Sequence, residues 1–236
     1  MKVLSIGNSF SQDAQRYLHN LGEVNGKNIK CVNLYIGGGT LRQHYLNLLD
    51  DEKSYKFEFN GSDTGIRISI REALKSDEWD YVTIQQASHQ SFDFDTYIPY
   101  IQKLKKYVLT YSPRSKIALH QTWAYPETKN RIKEVGFNST IEMYEAVREA
   151  YLKAKELICP DAVIESGETM MRMYNMIGGG LYRDDIHASL GIGRYLLGCV
   201  WYKTLIGELP KNDVKCFDSE VADKQIQLIR KVVDTV

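Results

Sequence analysis

Short apolar runs rich in β-branched residues, each followed by a helix-periodic stretch, recur along this chain and leave few folds open. Runs at 2–6, 29–36, 81–85, 116–121 and 162–165 have the length and composition of strands. Stretches at 11–21, 41–49, 96–109, 138–157, 189–206 and 220–233 read as helices, with apolar residues at helical spacing such as Ala14, Leu18 and Leu21. Such alternation predicts parallel strands in one sheet with helices over both faces. The expected fold is α/β: a three-layer α/β/α sandwich with a five-stranded parallel sheet in flavodoxin-like order, formed by residues 1–236 as a single domain. Residues 55–60 and 65–70, around Asn60-Gly61, predict an added β-hairpin.

In open α/β sheets, ligands lie beyond the carboxyl ends of the strands. Residues 7–9, 37–40, 85–89 and 121–123 all follow strand ends and should converge on one crevice. Lys+Arg and Asp+Glu both number 30, so no basic excess points to nucleic acid or to an anionic membrane surface. No run approaches the ~18 consecutive apolar residues of a membrane span. Cys31, Cys159, Cys199 and Cys216 are scattered, with no CxxC and no metal-like spacing. Reduced thiols, and no leader-like apolar run at the start, predict a cytoplasmic location. Export after removal of a leader is the alternative. No oligomeric interface is marked in the sequence.

Ser9 falls on the turn from the first strand into the first helix. There its N–H lies at a helix N-terminus, where negative charge is stabilised. Its ordinary role would be an N-cap, but Ser11 is an equally good cap. A nucleophilic serine needs a base, and the base needs an orienting carboxylate. Asp184 and His187, three residues apart before a helix, supply both. With Asp185 they also form a partial metal set, although no second histidine–carboxylate cluster accompanies them. Gly37-Gly38-Gly39-Thr40 reads equally as an anion-binding nest, an oxyanion-hole loop or a flexible turn.

The order of these pieces resembles the SGNH/GDSL hydrolases. Gly7-Asn8-Ser9 is similar to the family's Gly-Asp-Ser block, with Asn8 in place of Asp. The glycine run matches the second block, with Gly38 as the aligned oxyanion donor, and Asp184-x-x-His187 matches the last. The resemblance spans nearly the whole chain and implies a cofactor-free, metal-independent esterase: Ser9 the nucleophile, His187 the base, Asp184 its orienter. The third block, Gly-x-Asn-Asp in the family, here reads Gln85-Gln86-Ala87-Ser88-His89. Gln86 is the expected side-chain oxyanion donor beside the N–H groups of Ser9 and Gly38, with Ser88 and His89 as rivals. The Gln-Gln-x-Ser pattern and Gln121-Thr122-Trp123 are similar to an uncharacterised SGNH-like subgroup. Ser88, His89 and Trp123 are expected to line the substrate pocket, where Trp123 would stack on a sugar ring. The expected partner is a small-molecule or carbohydrate ester. A degenerate, glycan-binding member of the same fold is the competing reading, and a metal-dependent phosphoesterase comes third.

Overall fold

A computed structural model of the chain describes all 236 residues. In chain order the elements are β1 (Lys2–Gly7), α1 (Ser9–Gln15), α2 (Leu18–Val24), β2 (Lys30–Tyr35), α3 (Leu41–Leu49), β3 (Tyr55–Phe59), β4 (Ser62–Ile68), α4 (Ile70–Lys75) and β5 (Tyr81–Ile84). They continue as α5 (Tyr100–Tyr111), β6 (Lys116–His120), α6 (Arg131–Glu134), α7 (Thr140–Ile158), β7 (Ala162–Ile164), α8 (Ser166–Ile177), α9 (Ile192–Ile206) and α10 (Asp223–Asp234).

The sheet runs β4-β3-β2-β1-β5-β6-β7, and the five strands from β2 to β7 are parallel. That is the flavodoxin-like order, in which the chain leaves β1 first to one side and then to the other. The crevice at the carboxyl end of β1 therefore lies where the connections diverge. The sheet has seven strands rather than five, because the hairpin is part of it. Asn60 and Gly61 both adopt positive φ, 48° and 80°, as a tight two-residue hairpin turn requires. The turn folds β4 back against β3, Ser62 opposite Phe59, and β3 itself pairs with β2 in antiparallel register, Val32 opposite Phe59 and Leu34 opposite Phe57. Exposed β4 then ends the sheet.

One helical layer gathers α1, α2, α8, α9 and α10, and the other α3, α4, α5 and α7. A continuous core of 60 buried residues lies between them and the sheet. Helix α8, where no helix was expected, buries Met170, Met171 and Met173. No helix is long and apolar enough to cross a membrane.

Candidate active site

Backbone demands set the turn at the end of β1. Asn8 is extended and caps α1, its Oδ1 accepting the Phe10 N–H at 2.9 Å. Ser11, the expected alternative cap, is instead the partner three residues on: its Oγ accepts the Asn8 N–H at 3.0 Å. A Cβ on Gly7 would lie 2.0 Å from that Oγ, so only glycine lets the strand approach the helix this closely. With Asn8 capping, the Ser9 hydroxyl is not spent on its own helix.

Its partner comes from the other end of the chain. His187 Nε2 lies 2.9 Å from Ser9 Oγ, and His187 Nδ1 lies 2.8 Å from Asp184 Oδ2. The second carboxylate oxygen, Oδ1, accepts the N–H groups of Ile186 at 2.9 Å and His187 at 2.7 Å. Burial alone would raise the Asp184 pKa; these backbone donors and the imidazole outweigh it and hold the carboxyl below the usual carboxylate range. An ionised Asp184 keeps the imidazole proton on Nδ1, which leaves Nε2 as an acceptor facing the serine. The structure thus brings Ser9, His187 and Asp184 into one hydrogen-bonded line. No group of three His, Cys, Asp or Glu side chains is placed to hold a metal ion.

The loop carrying Asp184 and His187 is braced from three sides. Its base is closed by Arg183 N–H to His187 O at 3.0 Å and Ser189 N–H to Leu181 O at 2.8 Å. Trp123 donates its indole N–H to Ile186 O at 2.9 Å, and its ring stacks on Phe10 with centroids 3.9 Å apart. Trp123 was expected to meet a sugar; it is 0% exposed, because both the loop and the residue after Ser9 claim it. The third brace is ionic. Arg183 Nη1 bridges both oxygens of the fully buried Asp13 at 2.9 Å, Arg194 Nε adds a contact at 2.8 Å, and the Ala188 N–H one at 3.2 Å. Arg194 also pairs with Asp218, which Arg16, just past the end of α1, holds from the other side. Sequence reasoning missed this network, since nothing local marks Asp13 and Arg183 as partners.

Among the groups expected to receive an oxyanion, Ser9 is the first residue of α1, so its N–H has no intrahelical acceptor. The Gly38 N–H has no hydrogen-bond partner in the protein, and Gly38 sits at φ +64° in the exposed turn after β2. Gln86 departs from expectation. Its Nε2 donates to Thr96 O at 3.1 Å and Thr96 Oγ1 at 3.0 Å, while its Oε1 accepts the N–H groups of Leu41 and Ala87. A fully buried amide with every group engaged clamps the start of α3 and has no N–H left for an oxyanion. Ser88 is paired with the Tyr125 hydroxyl at 2.8 Å. His89, on the same turn, makes no side-chain hydrogen bond, and burial followed by Arg131 pushes its pKa down.

Solved structures share this architecture. A DUF4886 family protein from Bacteroides uniformis superposes with a TM-score of 0.92 at 30% identity, over 100% of this chain and 93% of that one. A candidate SGNH hydrolase from Slackia heliotrinireducens gives 0.62 at 21% identity, over 87% and 98%. The acetyl xylan esterase AlAXEase gives 0.55 at 16% identity, over 86% and 98%. Among curated proteins, none matches this chain in sequence. The family model "Domain of unknown function (DUF4886)" matches residues 2–235, and the chain belongs to that family, with the α/β fold of its SGNH-hydrolase neighbours.

Proposed function

We propose that this chain is a metal-independent serine ester hydrolase working through Ser9, His187 and Asp184 and a covalent acyl-enzyme. One observation carries the reading: Asp184 Oδ2, His187 and Ser9 Oγ lie in sequence at 2.8 and 2.9 Å, with the carboxylate's other oxygen fixed by two backbone N–H groups. His187 Nε2 takes the Ser9 proton as Oγ attacks the ester carbonyl, and Asp184 stabilises the imidazolium. The N–H groups of Ser9 and Gly38 receive the oxyanion. His187 then protonates the leaving alcohol. In the second half it deprotonates water, which attacks the acyl-enzyme and frees Ser9. The acyl group is proposed to be small and the alcohol a carbohydrate; acetylated xylan joins the first substrate panel because one fold neighbour is an acetyl xylan esterase.

A specific observation favours the rival reading, a non-catalytic glycan-binding protein: the side chain expected as third oxyanion donor is fully engaged elsewhere. Fluorophosphonate labelling with p-nitrophenyl acetate turnover separates the two. Labelling is expected in the wild type and absent in Ser9→Ala, with turnover lost in Ser9→Ala and His187→Ala. An unlabelled, inactive wild type from neutral to mildly alkaline pH would refute the hydrolase. Retained glycan affinity in Ser9→Ala would then select the binding protein.

A further inference from the structure

The carboxyl ends of the five parallel strands are joined by a row of buried side chains that no step of the proposed reaction uses. Following the sheet from β2 to β7, the row runs Gly39 after β2, Asn8 after β1, Gln85 after β5, His120 at the end of β6, and Ser166 after β7. Each strand contributes one link. Asn8 Nδ2 lies 3.1 Å from Gly39 O, and Gln85 Nε2 lies 2.7 Å from Asn8 Oδ1. His120 Nδ1 lies 2.6 Å from Gln85 Oε1, and His120 Nε2 lies 3.0 Å from Ser166 Oγ. All four side chains are at most 2% exposed.

The polarity of the row follows from two backbone groups at one end. The Phe10 N–H can only donate and the Gly39 carbonyl can only accept, so the Asn8 amide has a single orientation. Its Oδ1 then requires a donor from Gln85, which must offer Nε2. That leaves Gln85 Oε1 facing His120, whose Nδ1 must carry the proton. Burial pushes the His120 pKa down to about 3, so the ring is neutral and Nε2 accepts from the Ser166 hydroxyl. One arrangement of protons satisfies every group.

The row ends beside the reacting atoms, since Asn8 precedes Ser9 and Gly39 follows Gly38. Resting on the esterase reading above, we propose that Ser166, His120, Gln85 and Asn8 are positioning residues. They act as one polarised hydrogen-bond relay that sets the Gly38 N–H against Ser9 and so shapes the oxyanion site. The relay accounts for asparagine at position 8. A carboxylate there would still accept from Phe10 and Gln85, but it has no proton for Gly39, and two oxygens would oppose each other at that contact. Glutamate at position 85 would fail in the same way against Asn8.

The test takes the full chain as wild type, Asn8→Asp, Gln85→Glu and Ser166→Ala. It measures kcat and KM for p-nitrophenyl acetate, melting temperature, and the His120 tautomer by ¹⁵N NMR of the wild type. The expected result is a kcat loss of about 10²-fold in Asn8→Asp and Gln85→Glu, the order of one oxyanion donor, with KM nearly unchanged. A smaller kcat loss is expected in Ser166→Ala, and a neutral Nδ1–H ring at His120. Folded variants with wild-type kcat, or a lowered melting temperature with kcat intact, would make the row plain core packing and overturn the proposal. An Nε2–H ring at His120 would overturn it by itself, even where the variants fail to fold. Should the wild type turn over no ester, the esterase reading falls and takes the positioning role with it; an active wild type with unaffected variants removes the positioning role alone.

Discussion

Replacing Asp184 with Asn changes one atom and, on the esterase reading, should disable the base through its tautomer. Asp184 Oδ1 holds two backbone N–H groups, at 2.7 and 2.9 Å. Asparagine keeps those contacts only if its carbonyl oxygen takes the Oδ1 place. The opposite flip would leave two N–H groups facing an NH₂, at about 1–3 kcal/mol each. The amide NH₂ then faces His187 Nδ1, now 2.8 Å from a carboxylate oxygen, and drives the imidazole proton to Nε2. A protonated Nε2 donates to Ser9 Oγ and cannot take its proton. A wrong tautomer in a serine triad costs about 10⁴ in kcat, or about 5 kcal/mol of barrier. Alanine at the same position removes the orienter without imposing a tautomer, so Asp184→Asn should be the slower of the two. Steady-state turnover of p-nitrophenyl acetate and the fluorophosphonate labelling rate measure this, with melting temperatures confirming both folds. An Asn variant within about tenfold of wild type, or faster than Ala, would refute the reasoning.

Three further expectations follow from the braces. Asp13→Asn removes the carboxylate between Arg183 and Arg194 and should destabilise by about 3–5 kcal/mol in urea unfolding, because Arg183 loses its close carboxylate partner and Arg194 is left with Asp218 alone. A shift under about 1 kcal/mol would mean solvent already compensates them. Gly7→Ala places a Cβ 2.0 Å from Ser11 Oγ; it should cost roughly 1–3 kcal/mol by overpacking and slow Ser9 labelling, and native labelling at native stability would contradict it. For pH, burial alone would raise the Asp218 carboxyl, but Arg16 and Arg194 outweigh it and hold it low, as the loop donors do for Asp184. Carboxyls lowered by folding stabilise above their unfolded pKa and lose that contribution as pH falls toward the folded value. Urea midpoints should therefore drop on acidification below the ordinary carboxylate range, and less steeply in Asp218→Asn; parallel curves would count against it.

What was legible in the sequence is what local patterns carry. The five parallel strands were expected within a few residues because β-rich runs ended at turn residues, and Asn60-Gly61 announced the hairpin. Whether that hairpin joined the sheet was not legible, since it depends on the free edge of β2. Ser9, Asp184 and His187 could be paired across 178 residues only because each sits in a recognisable block. Asp13 and Arg183, 170 residues apart, have no such mark. Trp123 and Gln86 show the opposite failure. Their positions after strand ends placed them at the crevice, but the indole is claimed by Phe10 and Ile186 and the amide by Thr96 and Leu41, contacts that only the packed structure reveals.

The turn that carries Ser9, the proposed nucleophile, is shared by two bracing systems of opposite chemistry. On the side of the proposed base the braces are ionic: Asp13, one turn beyond Ser9, anchors Arg183 beside the loop that would carry the imidazolium of the proposed reaction. A buried carboxylate is tolerable there because two guanidinium groups and a backbone N–H satisfy it. On the oxyanion side the row from Ser166 to Gly39 is neutral. Its bonds all point one way, with each hydrogen directed toward the glycine loop. Aligned hydrogen bonds polarise one another, so the positive end of the row lies where the proposed reaction develops negative charge. A buried cation in that place would need its own counter-charge, and a carboxylate would oppose the oxyanion. An Asn-Gln-His-Ser row avoids both costs, and that gives a physical reason for amides at positions 8 and 85, the first of which stands where the family resemblance would lead one to expect aspartate.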